Sequence, residues 1–463
     1  MAPKFGTSGL RGLVTELTAP LVADHVAAFL AACPSGCGLW LGRDLRDSSP
    51  AIAEAVAAAA SAAGVDVTDC GVLPTPALAL AAAQAGGAAV MVTGSHIPAD
   101  RNGLKFYTPA GEITKADEAA ILAGLGQSGG KAGRAGRRLP DPGAGAAYAR
   151  RYTDGFGPRA LAGLRLGVWE HSSAARDLLA GVLAACGAEV LPLGRAETFL
   201  PVDTEAVDAA TRAQLAGWAA AQGLDAIVST DGDADRPMLA DAEGRIVPGD
   251  VLGLLTARFL GAETVVTPVS SNTAIDLGGG FTVRRTRIGS PFVVAAMEAV
   301  LAADPAARVV GYEANGGFLL GFEAEGPADL LAPLMTRDSL LPVLAPLAAA
   351  RAAGLELAAL VGRLPPRFTA SDRLQGIESG AARAFLNRLA ADPTPLLAAA
   401  GLGAEVLRDE TDGLRLTDAA GAILHLRPSG NAPEFRIYAE ADSPAAAVEI
   451  LEQALAAVAR RLT

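Results

Sequence analysis

Three carboxylates at a spacing of two, Asp231, Asp233 and Asp235, stand in the run STDGDADRP at 229–237. Aspartates supply hard oxygen ligands, and a tight set of them in a loop suits Mg²⁺. A calcium EF-hand loop also begins D-x-D-x-D, but it needs Gly at its sixth position and Glu at its twelfth. Those places hold Arg236 and Ala242, so that reading fails. An acidic surface turn would leave three like charges with only Arg236 beside them, whereas a bound cation relieves their repulsion. A second segment, TGSHIPADRNGLKFY at 93–107, places Ser95 where the apolar run AAVMV ends, with Gly94 and His96 adjacent and Lys105 further on. Ligands of open α/β sheets bind at such strand ends. A serine there can be a nucleophile if a charged neighbour handles the proton, although the segment alone fits a polar turn equally well.

A third segment, HLRPSGNAPEFRIYAE at 425–440, gathers Arg427, Ser429, Gly430, Asn431 and Arg436 around one turn. Arginine forks bind phosphate oxygens in pairs, and glycine lets backbone N–H groups point inward, so this is a candidate phosphate cradle. A hairpin turn with exposed arginines is the plain alternative. In VVGYEANGGFLLG at 309–321, Glu313 and Asn315 offer the mixture of acceptors and donors that sugar hydroxyls require. The opening FGTSGLRG at 5–12 is glycine-rich and carries Arg11, but it is not the G-x-x-x-x-G-K-[ST] phosphate loop.

The elements that must position these residues alternate in type. Apolar runs at 38–44, 88–94, 165–170, 225–233, 263–271 and 307–313 read as strands ending in polar turns. Ala- and Leu-rich stretches between them read as helices. One such helix is expected from Ser48 or Ser49 to Gly64, with Pro50 early, and another near Ala174–Cys186. Gln127–Arg138 reads as a linker or exposed loop. Beyond Pro365-Pro366 the order changes to strands at 413–417, 422–427 and 434–440 and a helix at 443–461, a smaller α+β unit. The expectation is α/β layers with helices covering the sheets, and the first three segments could share one architecture.

With 463 residues, 51% apolar and 5% aromatic, the chain has room for three or four domains whose cores are filled by Ala, Val and Leu. A net charge of −12 argues against nucleic acid or an anionic membrane as partner, so an anionic ligand must be met by locally placed Arg and Lys. No apolar run reaches the length of a membrane span. The start MAPKFGTSGLRG has no basic n-region, and Cys33, Cys37, Cys70 and Cys186 read as reduced thiols rather than a zinc site, so a cytoplasmic location is expected.

Taken in order, the five segments resemble the α-D-phosphohexomutase superfamily from Phe5 to about Glu440. That family carries F-G-T-[SD]-G-x-R-G, T-A-S-H-N-P…N-G-x-K, D-G-D-G-D-R, G-E-x-S-G and R-P-S-G-T-E-P-x-x-R. Here the same places read FGTSGLRG, TGSHIP…NGLK, DGDADR, YEANGG and RPSGNAPEFR. The departures are Gly94 and Ile97 beside the serine, Ala234 in the metal loop, Asn315 and Gly317 in the sugar loop, and Asn431 and Ala432 in the phosphate loop.

The resemblance implies three α/β/α domains around a cleft (1–140, 141–248, 249–364) and a smaller C-terminal α+β domain (365–463). It implies a phosphorylated Ser95, and Mg²⁺ held by Asp231, Asp233, Asp235 and the Ser95 phosphate. Arg11 and Arg236 then add positive charge, Lys105 is the general acid/base, and His96 orients the serine or its loop. Glu313 and Asn315 hold ring hydroxyls. The loop with Arg427, Ser429, Gly430, Asn431 and Arg436 grips the phosphate that is not transferring. Hexose 1,6-bisphosphate is the implied intermediate, and a flexible C-terminal domain lets it turn over. Because the opening is FGTSG rather than the FGTDG of phosphoglucosamine mutases, the implied substrates are mannose 1- and 6-phosphate, with glucose phosphates alongside and glucosamine phosphate as the alternative. A serine phosphatase built on several His-rich metal sites is harder to reconcile with four scattered His. A silent sugar-phosphate binder would have no need of the nucleophile. The expected partner is a small hexose phosphate, with no nucleic acid and no membrane, on a monomer or homodimer.

Overall fold

The computed structural model describes residues 3–6, 9–127, 133–429 and 434–462. The chain builds three α/β units and a C-terminal α+β unit. In the first sheet the parallel strands Val67–Val72, Leu39–Arg43 and Ala88–Val92 are followed by the antiparallel Arg101–Thr108. The second sheet repeats this order with Glu189–Arg195, Arg165–His171, Ala226–Thr230 and antiparallel Pro237–Ala240. The third repeats it again with Thr282–Thr286, Thr264–Pro268, Val309–Tyr312 and antiparallel Phe318–Leu320. In all three, the strand that leads into a candidate loop lies inside the sheet, which is why AAVMV and AIVST are apolar without alternation and fully buried.

The helix expected at 48–64 runs Ser49–Ala62, with Gly64 at φ 83° beyond it. Ser48 occupies the N-cap position but makes no capping bond; its Oγ instead accepts from Asn102 Nδ2 at 2.8 Å. The second expected helix is Arg176–Ala185. The expected linker ends differently from its reading: Arg138–Pro140 is a strand that pairs in parallel with Val67–Asp69. Glycine and arginine content hid this pairing, which is a long-range contact.

One apolar core runs continuously through the first three units, from Cys70 and Met91 through Leu166 and Val228 to Val310 and Leu357. The C-terminal unit has a core of its own. Its antiparallel sheet, in the order Phe368–Gln375, Glu434–Ala441, Ile423–Pro428, Leu414–Asp418, Glu405–Asp409, packs against helices Ser379–Ala391 and Pro444–Leu462. Among the described residues, no helix is long and apolar enough to cross a membrane.

Candidate active site

Each of the three inner strands ends at the same place and delivers one loop: Ser95 after Ala88–Val92, Asp231 after Ala226–Thr230, Glu313 after Val309–Tyr312. Ser95 is buried and has φ 51°, a left-handed conformation unusual for a residue with a side chain. Its N–H donates to Thr93 Oγ1 at 2.8 Å, and Thr93 in turn donates to Asp44 Oδ2 at 2.8 Å. Arg46 secures the rest of the loop. Its Nη2 donates to the carbonyls of Ser95 (2.8 Å) and Ile97 (2.6 Å), its Nη1 to those of Pro98 (2.7 Å) and Arg101 (2.8 Å), and its Nε to Asp44 at 3.2 Å. Gly94 leaves room for this guanidinium, since a Cβ there would lie 2.6 Å from Arg46 Cζ.

The metal loop meets the serine from across the cleft. Ser95 Oγ donates to Asp231 Oδ2 at 2.6 Å, and His96 Nδ1 lies 3.3 Å from Ser95 Oγ. Lys105, on strand Arg101–Thr108, donates from Nζ to Asp233 Oδ2 and Asp235 Oδ2, both at 2.5 Å. Thr75, at the start of helix Thr75–Ala85, holds Asp233 through both its N–H (to the carbonyl, 2.9 Å) and its Oγ1 (to Oδ2, 2.6 Å). From the third unit, Arg337 Nη2 reaches Asp235 Oδ2 at 2.7 Å and Ser339 Oγ donates to the Ala234 carbonyl at 2.8 Å.

The three aspartates are fully buried, with one carboxylate oxygen of each within 4.8 Å of the others. Asp233 Oδ1 and Asp235 Oδ1 have no hydrogen-bond partner there, although Arg236 Nε stands 3.8 Å from the latter. Buried carboxylate oxygens left bare are costly, and a divalent cation among them satisfies all three groups. The residues present fit a hard metal ion.

Charge in the site is divided unevenly. Burial, then Asp233 and Asp235, pushes the Asp231 carboxyl well above the usual range. Burial also acts to raise Asp235, but Arg337, Lys105 and Arg236 outweigh it and hold that carboxyl below its ordinary value. Burial, with Arg236 and Arg337 close by, lowers the Arg11 guanidinium to about 10. Burial, then Arg236 and Arg11, keeps His96 well below its ordinary value and so neutral near pH 7.

Of the candidate sugar and phosphate residues, Glu313 is buried and paired with Arg337 Nη1 at 3.5 Å. Asn315 is buried, and its Oδ1 accepts from Gly317 N–H at 2.9 Å, so that oxygen shapes the loop itself. Arg427 lies 3.5 Å from Asp412 and Arg436 3.5 Å from Glu434. Ser429 N–H donates to the Glu434 carbonyl at 2.8 Å, while Gly430 and Asn431 lie outside the described residues. Glu205, on the loop after Glu189–Arg195, is exposed to solvent. The protein packed around its carboxyl pushes it up to about 7, against Arg236 and Arg436 and with Asp203 and Glu313.

The chain matches the phosphoglucomutase/phosphomannomutase domain families in order: α/β/α domain I over residues 2–128, domain II over 147–244, domain III over 248–368 and the C-terminal domain over 386–458. It belongs to the α-D-phosphohexomutase superfamily. A phosphomannomutase from Sinorhizobium fredii is 46% identical, with 98% of each chain covered. A phosphoglucosamine mutase from Thermobifida fusca is 31% identical over 96% of this chain and 95% of its own. The crystal structure of a phosphoglucomutase/phosphomannomutase family protein from Burkholderia thailandensis shares the fold. It has a TM-score of 0.77, 22% identity, and coverage of 98% of this chain and 96% of that one.

In this phosphohexomutase the sequence reading missed Arg46, Thr75, Arg337 and Glu205. Arg46 had a visible signal, since GRDLRDSS places several polar groups just after a strand. Thr75 and Arg337 are single residues whose neighbours are distant in sequence, and no spacing marks them.

Proposed function

We propose that this phosphohexomutase interconverts mannose 1-phosphate and mannose 6-phosphate, with Ser95 as the phosphoryl carrier. The observation that carries the reading is Ser95 Oγ at 2.6 Å from Asp231, in a buried cluster that also holds Lys105 and two bare carboxylate oxygens. The closer identity to a phosphomannomutase than to a phosphoglucosamine mutase supports mannose over glucosamine. The domain boundaries at 140, 248 and 364 fit the end of the first sheet at Pro140 and the changes of sheet that follow.

Phosphoryl transfer is mainly positioning and charge neutralisation. The bond between phosphorus and Ser95 Oγ breaks as one forms to the free sugar hydroxyl, and the reverse transfer then takes the other phosphate from hexose 1,6-bisphosphate. Lys105 in its neutral form takes the hydroxyl proton, and as an ammonium paired with Asp233 and Asp235 it returns a proton to the sugar oxygen in the reverse transfer. Mg²⁺ on Asp231, Asp233 and Asp235 supplies charge to the transferring group when bound. Arg11 and Arg236 add fixed positive charge, and His96, as a neutral group, orients the serine. Glu313 and Asn315 meet ring hydroxyls, and Arg427, Ser429 and Arg436, with Gly430 and Asn431, hold the other phosphate.

Turnover of mannose, glucose and glucosamine 1-phosphates, followed by phosphorus NMR with bisphosphate and Mg²⁺ present, tests the reading. Mannose 6-phosphate should form fastest, intact mass should show one phosphate that Ser95→Ala removes, and Ser95→Ala should be inactive. Turnover by Ser95→Ala, or a preference for glucosamine phosphate, would sink it.

A further inference from the structure

Arg337 lies near the end of strand Leu334–Asp338 in the third unit, yet its guanidinium serves two loops. Nη2 is 2.7 Å from Asp235 Oδ2 in the metal loop and Nη1 is 3.5 Å from Glu313 Oε2 in the sugar loop. The side chain is 6% exposed. Its stem passes over Gly317, where a Cβ would lie 2.9 Å from both Cγ and Cδ of Arg337 and 3.1 Å from its Cβ. Gly317 is not among the residues with positive φ, so its backbone does not call for glycine. The glycine is there for room, and the room is occupied by Arg337.

The neighbours of Arg337 keep it in place. Asp338 accepts from the hydroxyls of both Tyr148 and Tyr152 in the second unit, and from Leu340 N–H at 3.0 Å. Ser339 binds the Ala234 carbonyl. Three consecutive residues therefore tie the third unit to the second, two of them at the metal loop. Asp235 Oδ2 is shared by Lys105 and Arg337, while Oδ1 is left bare toward the other carboxylates. A guanidinium can present separate N–H groups to two carboxylates; an ammonium acts as a point charge and cannot hold both in a fixed plane.

We propose that Arg337 is a positioning and specificity-determining residue that orients Glu313 toward the sugar and draws charge from Asp235, so that one guanidinium sets both sugar selection and metal affinity. This rests on the reading of Glu313 as a sugar ligand and of the aspartates as the metal site. Two consequences have opposite signs. Removing the positive charge leaves the aspartates more negative, so a divalent cation binds more tightly. Releasing Glu313 makes hexose phosphate bind and turn over less well, and blurs the choice between sugars. A general loss of structure cannot tighten metal binding.

The experiment measures Mn²⁺ binding by calorimetry, without sugar, and steady-state kinetics with mannose and glucose 1-phosphates at saturating Mg²⁺. Arg337→Gln should bind Mn²⁺ about three- to tenfold more tightly. Its kcat/KM should fall at least about tenfold, with the mannose-to-glucose ratio shifting toward one. Arg337→Lys, which keeps the charge and loses the fork, should retain wild-type Mn²⁺ affinity and lose the sugar preference. Gly317→Ala, which pushes the stem aside, should behave like Arg337→Lys. Asp235→Asn is the reference and should lose Mn²⁺ binding. If it still binds Mn²⁺ as wild type does, the metal-site reading fails and takes the proposal with it. If Asp235→Asn loses the metal while Arg337→Gln keeps wild-type affinity and sugar ratio, the proposal alone is overturned. Should Arg337→Gln not fold, an unchanged sugar ratio in Arg337→Lys overturns it in the same way.

Discussion

Ser95 is held at φ 51°, a conformation that costs an ordinary residue about 1–2 kcal/mol. Its surroundings must therefore impose it, and Arg46 makes most of the contacts that do so. Four carbonyls of the loop and one carboxylate converge on a side chain that is almost wholly buried. Arg46→Lys can satisfy at most three of these acceptors, so at least one buried carbonyl is stranded, at about 1–3 kcal/mol each. Misplacing the serine by about 1 Å lowers turnover by about a hundredfold. We expect Arg46→Lys to lose about 3 kcal/mol in urea unfolding and about two orders of magnitude in kcat, with KM little changed; a wild-type kcat would show that the loop holds itself. Arg436 poses the opposite case. If it anchors the phosphate that stays put, its contact exists in ground and transition states alike. Arg436→Ala should then raise KM by about ten- to hundredfold and lower kcat less. Equal KM values for the variant and the wild type would leave only the hairpin-turn reading.

Elements supply the site through their ends. Each inner strand stops at the cleft and hands the chain to an antiparallel partner, so three loops converge there. Helix starts contribute as well, Thr75 gripping Asp233 from the first turn of Thr75–Ala85. Helix Gly249–Phe259 carries a less comfortable group. Asp250, in its first turn, is buried; Oδ2 accepts from Asn272 N–H at 2.8 Å, but Oδ1 has no partner. Burial raises its carboxyl to about 6 despite the Asn272 bond, with Glu440 adding to the rise. The folded value lies above the unfolded one, so this group favours folding most below pH 4 and the benefit is lost as pH rises through 6. The loss amounts to about 3 kcal/mol at most. Asp250→Asn cannot ionise and should raise the melting temperature at pH 8 while leaving it unchanged or lower at pH 4. An equal effect at both pH values would mean that the carboxyl does not titrate as described.

At the scale of the molecule, one apolar core runs through all three α/β units, beside further clusters within each, and the C-terminal unit has its own. The junction between them is polar. Within the C-terminal unit Arg367 Nε donates to Glu440 Oε1 at 2.6 Å; across the junction it donates to Thr273 Oγ1 at 3.0 Å, and Glu440 accepts from Thr273. Both charged side chains are less than a tenth exposed. Removing one partner of a buried pair costs about 3–5 kcal/mol because the other charge is left behind. Arg367→Ala should therefore loosen the C-terminal unit without touching the shared core. Calorimetry should show its transition split into two, and KM for hexose phosphate should rise because Arg427 and Arg436 ride on that unit. A single transition at the wild-type temperature would place the junction's strength elsewhere.

Local chemistry was legible in the chain itself. Asp231, Asp233 and Asp235 mark a candidate cation loop by their spacing, Ser95 marks a candidate nucleophile by its place after a buried strand, and the alternation of apolar runs with Ala-rich stretches declares α/β layers, because these are properties of neighbouring residues. The helix at Ser49–Ala62 and the closing helix Pro444–Leu462 lie within a few residues of where their caps and periodicity put them. What the tertiary structure alone decided is who meets whom. Lys105 was a candidate from its motif, but that it stands between Asp233 and Asp235 follows from packing one unit against another. Thr75 and Arg337 carry no signature, since their partners lie tens to more than a hundred residues away. The pairing of Gly317 with Arg337 is the clearest case: read alone, the glycine is a missing side chain, and only the folded chain shows that the space belongs to an arginine. Sequence specifies groups and the elements that carry them. Distances of a few ångströms between distant segments, on which pairing and charge depend, exist only once the units are packed.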